Sequence, residues 1–376
     1  MRISRKLPIL LVGFSITACA IAAIAAYLIA ATELTTSAHA KLSALGEARK
    51  STLTSYLHSI REDLSLIADS EMAHLALKEL SPPFNEFGSH ATTTLQNLYI
   101  TKNPHPLHEK HRLDLAQDGS SYSEAHGHHH PWFRKLLEER GYYDIFLVNT
   151  KGDVIYSVFK ELDYATNLNT GQWKDSDLSL VYRKVNKQSR HGYIAFTDFA
   201  PYAPSYGAPA SFIATAIMGP HGQLIGTLIF QMPIDRINQI MQASGGMGES
   251  GETYLLNTKV ESATVKAALA GKSGVQMIPG YRGVVVESAF TPLKFQDVTW
   301  GLIAEVNKSE ALAGITVLRD IATLITCLVA VLVGLAGVFV SRRFITYPIE
   351  QMVRAMGQLA EGDKNIHIPC TGRDDE

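Results

Sequence analysis

Cysteine is almost missing from this sequence. Three occur, Cys19, Cys327 and Cys370, and none lies between residues 20 and 326. No disulfide can therefore staple that long middle stretch. An excess of charge of either sign is also lacking: 34 Lys and Arg face 36 Asp and Glu. That balance gives no electrostatic footing for a nucleic-acid partner. No short-period repeat and no low-complexity tract occurs. No nucleophile, triad or HExxH pattern is recognisable either. Gly271-Lys272-Ser273 superficially suggests a phosphate loop, but the first glycine such a loop needs would fall at 266, which is Lys. Extracytoplasmic catalysis is therefore not expected, and no cofactor or metal is assigned.

Long uncharged runs are present. Leu7–Thr32 carries no charge and is mostly Ala, Ile and Leu. At about 1.5 Å per residue it can cross a hydrocarbon core of about 30 Å. Arg2, Arg5 and Lys6 precede it, which places residues 1–6 in the cytoplasm. The rival is a signal peptide cleaved near Ala38-His39-Ala40, but a signal's apolar core is only about 7–15 residues. The second run, with its span at 321–341, is followed by Arg342-Arg343, again positive on the cytoplasmic side. Two spans with both ends inside leave residues 33–320 outside.

Leu42, Leu45, Leu53, Tyr56, Leu57, Ile60, Leu64 and Ile67 recur at three- and four-residue steps. They predict that the helix continues from the first span until Pro82-Pro83. So apolar a stripe on an exposed helix also predicts a partner chain. Phe84–Ile100 reads as a weaker helix. Seven of the 14 histidines then fall within residues 105–130. One reading makes this a polar surface segment with one or two histidines turned into a cleft. The other makes it a metal or proton sensor, although the 105/108/111 spacing walks around a helix. Pro131–Arg140 reads as a short helix with proline in its first turn.

The strongest β signal is Gly141–Glu161. Tyr143–Val148 and Asp153–Phe159 flank the turn Asn149-Thr150-Lys151-Gly152. Further strands are expected at Gly192–Thr197, Ser211–Met218 and Gln223–Gln231, with a helix at Leu178–Val185. Asp198–Pro209 reads as a Pro/Gly-rich loop. The five strands predict an α+β antiparallel sheet packed by helices on one face. After the linker Ser244–Gly248 comes a smaller module: strand Thr253–Leu256, helix Ser262–Ala270, and strands Gly283–Ala289 and Thr299–Glu305. Ser309 is the expected cap of the next helix, which runs unbroken through the second span.

This order of elements resembles bacterial transmembrane chemoreceptors with a double Cache (PAS-like) sensor. YYDIFLVNTKGDVIYSVFKELDYATNL is similar to their membrane-distal module. GQLIGTLIFQMPIDRINQIM and GESGETYLLN are similar to the passage into the proximal one. The resemblance covers roughly residues 33–320, with a distal module at about 84–240 and a proximal one at about 248–308. Residues 342–376 resemble the first half of a HAMP linker. Pro348 opens its helix and Ile349, Met352, Met356 and Leu359 form its seam. Gly362 ends the helix, Ile366 and Ile368 fit the connector, and Asp375-Glu376 would open a second helix. The resemblance implies a homodimer in the bacterial inner membrane, crossing it twice, with a periplasmic sensor. The implied role is chemotaxis, through cytoplasmic signalling machinery reached by an output domain beyond residue 376. A histidine kinase or nucleotide cyclase output is the alternative, and a His-rich metal- or pH-sensing protein a further one.

Amino-acid-binding members of that family share an Arg-x-Trp-Tyr stretch and an Asp soon after a Pro-Tyr pair. Here these read His130-Pro131-Trp132-Phe133 and Pro201-Tyr202-Ala203. Losing the Arg and the Asp argues against a plain amino acid. The resemblance places the ligand between the distal sheet and the covering segments Tyr122–Trp132 and Asp198–Pro209. The candidate ligand-binding residues are His126, His130, Trp132, Tyr143, Tyr156, Lys160, Asp163, Asp198 and Tyr202. Aromatic walls and a single cation, with His126 or His130 assisting when protonated, suit a small carboxylate better than an amine. The competing reading makes Lys160, Glu161 and Asp163 a solvated surface cluster.

Overall fold

In the computed structural model the described residues are 3–362, apart from Ser244 and Lys259, together with all side chains among them except those of residues 3–8 and 11. Arg2, Ile366, Ile368, Cys370 and Asp375-Glu376, singled out above, lie outside them. The chain divides into two units, residues 42–306, and residues 1–41 with 307–376.

In the second of these units, the first part of helix α1 (Ile3–Ala68) accompanies α8 (Lys308–Ala311), α9 (Ala313–Val340) and α10 (Tyr347–Ala360). Both long helices are apolar and long enough to cross a membrane. They meet closely: a Cβ on Gly337 would come within 2.5 Å of Val12. Asn307, not Ser309, occupies the position before α8, so Ser309 sits inside its first turn. A wider π turn, Ser341–Thr346, joins α9 to α10 without a break in the helical path.

Residues 42–306 hold two antiparallel sheets. The larger contains β1 (Asp144–Asn149), β2 (Val154–Ser157), β3 (Ile194–Pro201), β4 (Pro209–Met218) and β5 (Leu224–Gln231), ordered β2-β1-β5-β4-β3. In β1, Ile145 and Leu147 face the core built with Leu53, Leu57, Ile60 and Leu64 of α1 and with α2 (Glu71–Glu86). Phe146 and Val148 face Leu178, Val181 and Val185 of α5 (Asp177–Gln188). Helices thus cover both faces of this sheet, not one. That explains why β1 reads as a continuous apolar run instead of an alternation.

The Leu42–Ile67 stripe, apart from the partly exposed Leu45 and Tyr56, is buried within its own chain. Its apolar character is satisfied there and argues for no second copy. The helix breaks at Ala68, not at Pro82-Pro83. Ser70 caps α2 by accepting from Ala73 N at 3.3 Å, while its hydroxyl donates to Ile67 O at 2.7 Å. The two prolines sit in the last turns of α2, where Pro83 and Phe84 are buried. Of the expected helix at Phe84–Ile100, α3 (Ala91–Gln96) and a π turn at Asn97–Thr101 form.

The smaller sheet contains β6 (Glu252–Leu256), β7 (Gly274–Pro279), β8 (Val285–Phe295) and β9 (Val298–Asn307), ordered β6-β9-β8-β7. Helix α7 (Ala263–Leu269) packs Val265 and Ala268 on Phe290 and Ile303. β7 was not expected from sequence: it is an edge strand with no buried residue, so it carries no alternation to read. α6 (Ile234–Gln242) links the two sheets in sequence.

Candidate functional site

The site is built around α4 (Ser121–Arg140), far longer than the expected 131–140 helix. Ser120 caps it by accepting from Ser123 N at 3.2 Å. Gly141 ends it at φ 73, a left-handed geometry that glycine takes freely. Pro131 lies mid-helix, not in the first turn; it gives up one backbone bond, to Gly127. Helical spacing turns Tyr122, His126, His130 and Phe133 to the core. Trp132 is turned away and lies 37% exposed, so the structure does not bring it to the cluster.

His130 Nδ1 lies 2.7 Å from Tyr156 Oη and Nε2 lies 2.6 Å from the His111 carbonyl. A carbonyl only accepts, so Nε2 carries the proton and Nδ1 accepts from the phenol. His126 Nδ1 likewise donates to the Asp114 carbonyl at 2.7 Å. Its ring stacks at 4.4 Å between centroids on His130 and lies 4.4 Å from Tyr99. His126 Nε2 is buried without a partner. Burial, aided by the nearby Lys160 charge, pushes both imidazoles well below their ordinary range. Burial thus favours their neutral forms, against the expectation that they assist as cations.

Lys160 is 2% exposed, so the cluster it heads is no surface patch. Its backbone is held at φ 65, a left-handed conformation that costs a non-glycine residue about 1–2 kcal/mol. The ammonium donates to the Ser157 carbonyl. It also lies 4.9 Å from the ring of Tyr156, 5.1 Å from Tyr164 and 5.6 Å from Tyr99. Burial pushes its pKa down, and the charges of Asp144 and Asp114 oppose that. Among the described residues, no carboxylate pairs with it directly. Asp144 is already taken: it accepts from Ile145 N (2.6 Å), Val158 N and Phe159 N (2.9 Å each) and Ser157 Oγ (2.6 Å). It therefore shapes the turn that presents Lys160.

Beyond Lys160 the chain turns two more carboxyls inward. Glu161 accepts from Tyr143 Oη at 2.8 Å and Ser205 Oγ at 2.6 Å. Asp163 accepts from Tyr202 Oη at 2.8 Å, and its other oxygen has no partner. Gln231 donates to Ser205 Oγ at 3.1 Å and leaves its own oxygen unpartnered. Burial pushes Glu161 up to about 7 and holds Asp163 well above the carboxylate range. A buried polar atom without a partner is costly and marks where a ligand or water would bond.

The structure thus gathers His126, His130, Tyr156 and Lys160, and beside them Tyr143, Asp163 and Tyr202. It takes Asp198 elsewhere. The expected Asp198–Pro209 loop shrinks because β3 extends to Pro201 and β4 starts at Pro209. Asp198 there accepts from Trp300 Nε1 at 2.8 Å and Asn257 Nδ2 at 3.1 Å, both in the smaller module. Sequence reasoning missed Tyr99, Tyr164, Asp144, Ser205 and Gln231. One signal was available: Asp144 and Gln231 are polar residues at adjoining ends of apolar strands, and they pair in register. Separately, Glu79, His128 and His129 bring metal-type ligand atoms within 4.8 Å of one another.

No family model matches the chain. A probable chemoreceptor of Sinorhizobium fredii is 25% identical over 262 residues, covering 65% of this chain and 33% of that protein. The chain thus spans about a third of that relative's length. Among solved structures, the periplasmic sensory domain of the Campylobacter jejuni chemoreceptor Tlp1 aligns with TM-score 0.43 at 11% identity, over 74% of this chain and 98% of that one. The ligand-binding domain of the Pseudomonas aeruginosa amino-acid chemoreceptor PctC, in complex with GABA, aligns with TM-score 0.35 at 17% identity, over 60% and 98%.

Proposed function

We propose that this chain is the sensing and membrane-crossing part of a bacterial receptor of the chemoreceptor type. Residues 33–320 lie on the periplasmic side of the inner membrane, and the distal module receives a small solute. Support comes from the order of an apolar helix, two sheet modules and a second apolar helix, and from the chemoreceptor relative. The chain acts as a receptor and not as an enzyme. It works as a homodimer through the α10 seam, whose Ile349, Met352, Met356 and Leu359 are all at least half exposed.

The observation that carries the ligand class is Lys160. A buried ammonium with one carbonyl and three aromatic rings around it has donors to spare and, among the described residues, no counter-ion in contact. A small carboxylate supplies that counter-ion, and His126 Nε2 accepts a hydroxyl or amide proton beside it. Two experiments test this reading. Reporter fusions at residues 200 and 345 are expected on opposite sides of the membrane; the same side for both ends the receptor reading. Calorimetry of the full chain against organic acids, amines and amino acids is expected to detect acids. Binding of amines alone would refute the ligand class.

A further inference from the structure

We propose that Glu79, His128 and His129 form a binding site for a divalent transition-metal ion, zinc by its nitrogen and oxygen preference, on the surface where α2 meets α4. The three ligand atoms lie within 4.8 Å of one another. His129 Nε2 is 2.7 Å and His128 Nδ1 3.2 Å from the same oxygen, Glu79 Oε2. Zinc bonds of about 2.0–2.2 Å in a tetrahedron put ligand atoms about 3.3–3.5 Å apart. The cluster needs only small side-chain shifts to reach that spacing.

Neighbouring residues on a helix point about 100° apart, so two adjacent histidines do not ordinarily share an ion. Here the different nitrogens resolve the problem. His128 offers Nδ1, close to its own backbone, and His129 offers Nε2, at the far end of the ring. Glu79, from the other helix, stands where those two reaches cross. His129 is buried, and its Nδ1 has no partner. Among the described residues, the only hydrogen bond its ring makes is therefore the one to an exposed carboxylate at the surface. An ion would take the place of the proton that His129 Nε2 shares with Glu79, and the neutral imidazole would carry its single proton on Nδ1 instead. His128 is 71% exposed, so the site opens to solvent and a water can complete the coordination.

Two imidazoles and one carboxylate suit zinc, nickel or copper, and not calcium or magnesium, which take oxygen ligands. The hydrogen bonds from His129 and His128 already hold the Glu79 carboxyl below its ordinary range, as a ligand must be. An ion there would clamp α2 to α4, the helix that carries His126 and His130. The site is independent of the solute reading above, since no group of the Lys160 cluster takes part in it. The sequence hides it because the third ligand lies 49 residues before His128.

The test uses the full chain in detergent, purified without a histidine tag. Zinc binding is read by competition with a chromogenic chelator, and cobalt substitution by its visible absorption. One saturable equivalent is expected, with a tetrahedral cobalt spectrum. His128→Ala and Glu79→Gln, both at exposed positions, should each weaken binding by more than the about 10-fold typical of losing an outer-sphere partner. His58→Ala, which breaks an unrelated exposed His58–Glu62 pair, should leave it unchanged. Absence of saturable binding, or an equivalent that survives in both His128→Ala and Glu79→Gln, overturns the site.

Discussion

Replacing Glu161 by Gln should make the protein more stable at pH 8 and leave it unchanged at pH 4. Glu161 is buried, at 6% exposure, and its carboxyl is pushed from 4.5 to about 7, chiefly by that burial. The folded protein therefore holds this proton more tightly than the unfolded chain does. The stability so contributed is complete below about pH 4.5 and is lost as pH rises through about 7. A shift of this size corresponds to something on the order of 3 kcal/mol. Glutamine reproduces the protonated form: its oxygen still accepts from Tyr143, and its amide can donate to Ser205, whose hydroxyl is free to rotate. The variant should lack this part of the pH dependence. At pH 8 that is a rise in melting temperature of roughly 5–10 °C for a unit of this size. Thermal unfolding followed by tryptophan fluorescence from pH 4 to 8.5 measures it. Parallel curves for wild type and variant, or a variant less stable at pH 8, would show that Glu161 does not hold its proton more tightly in the folded protein.

The turn, the module junction and the seam each give a further prediction. Asp144→Ala removes an acceptor from Ile145 N, Phe159 N and the Ser157 hydroxyl, while Val158 N keeps the Ile145 carbonyl at 3.1 Å; a loss of about 2–3 kcal/mol is expected in denaturant titration, with Asp144→Asn recovering part of it. Asp198→Ala frees the Trp300 indole, so in a background retaining Trp300 alone its emission should shift while ligand affinity stays. An affinity lost with Asp198→Ala would return that residue to the ligand site. In a cysteine-free background, Met352→Cys and Met356→Cys should crosslink between chains, whereas Leu53→Cys and Leu57→Cys, buried in their own chain, should not. The opposite pattern would move the dimer contact to α1.

The strands of the larger sheet were legible because alternation, turn residues and apolar runs are local signals. Five of its strands fall within a few residues of their expected places. What stayed hidden depends on partners distant in sequence. The stripe from Leu42 to Ile67 announces a buried helix face but not whether the same chain or another covers it. Pro82-Pro83 and Pro131 read as helix boundaries, yet Ser70 and Ser120 set the starts of α2 and α4, and tertiary burial tolerates the prolines. That shift of the α4 start decides the site, because it puts His126 and His130 on one helical face and turns Trp132 outward. Lys160, Glu161 and Asp163 follow a strand and look like surface charges. Only the turn organised by Asp144 carries them inward. Asp198 looked like a pocket residue because it opens the Asp198–Pro209 segment read as a covering loop, but its carboxylate serves Trp300.

If the proposed solute is a carboxylate, the Lys160 ammonium receives its anionic group. Calorimetric titration of the full chain with the tightest-binding small carboxylate tests it, in two buffers of different ionisation heat. Burial depresses the lysine in the free protein, and an anion favours its charged form. Binding should therefore take up a proton and weaken as pH rises through the depressed pKa. Lys160→Met, which fills the same volume without charge, should fold, abolish that binding and remove the buffer dependence. An affinity unchanged in Lys160→Met, or one that strengthens with rising pH, would mean that Lys160 does not hold the anion.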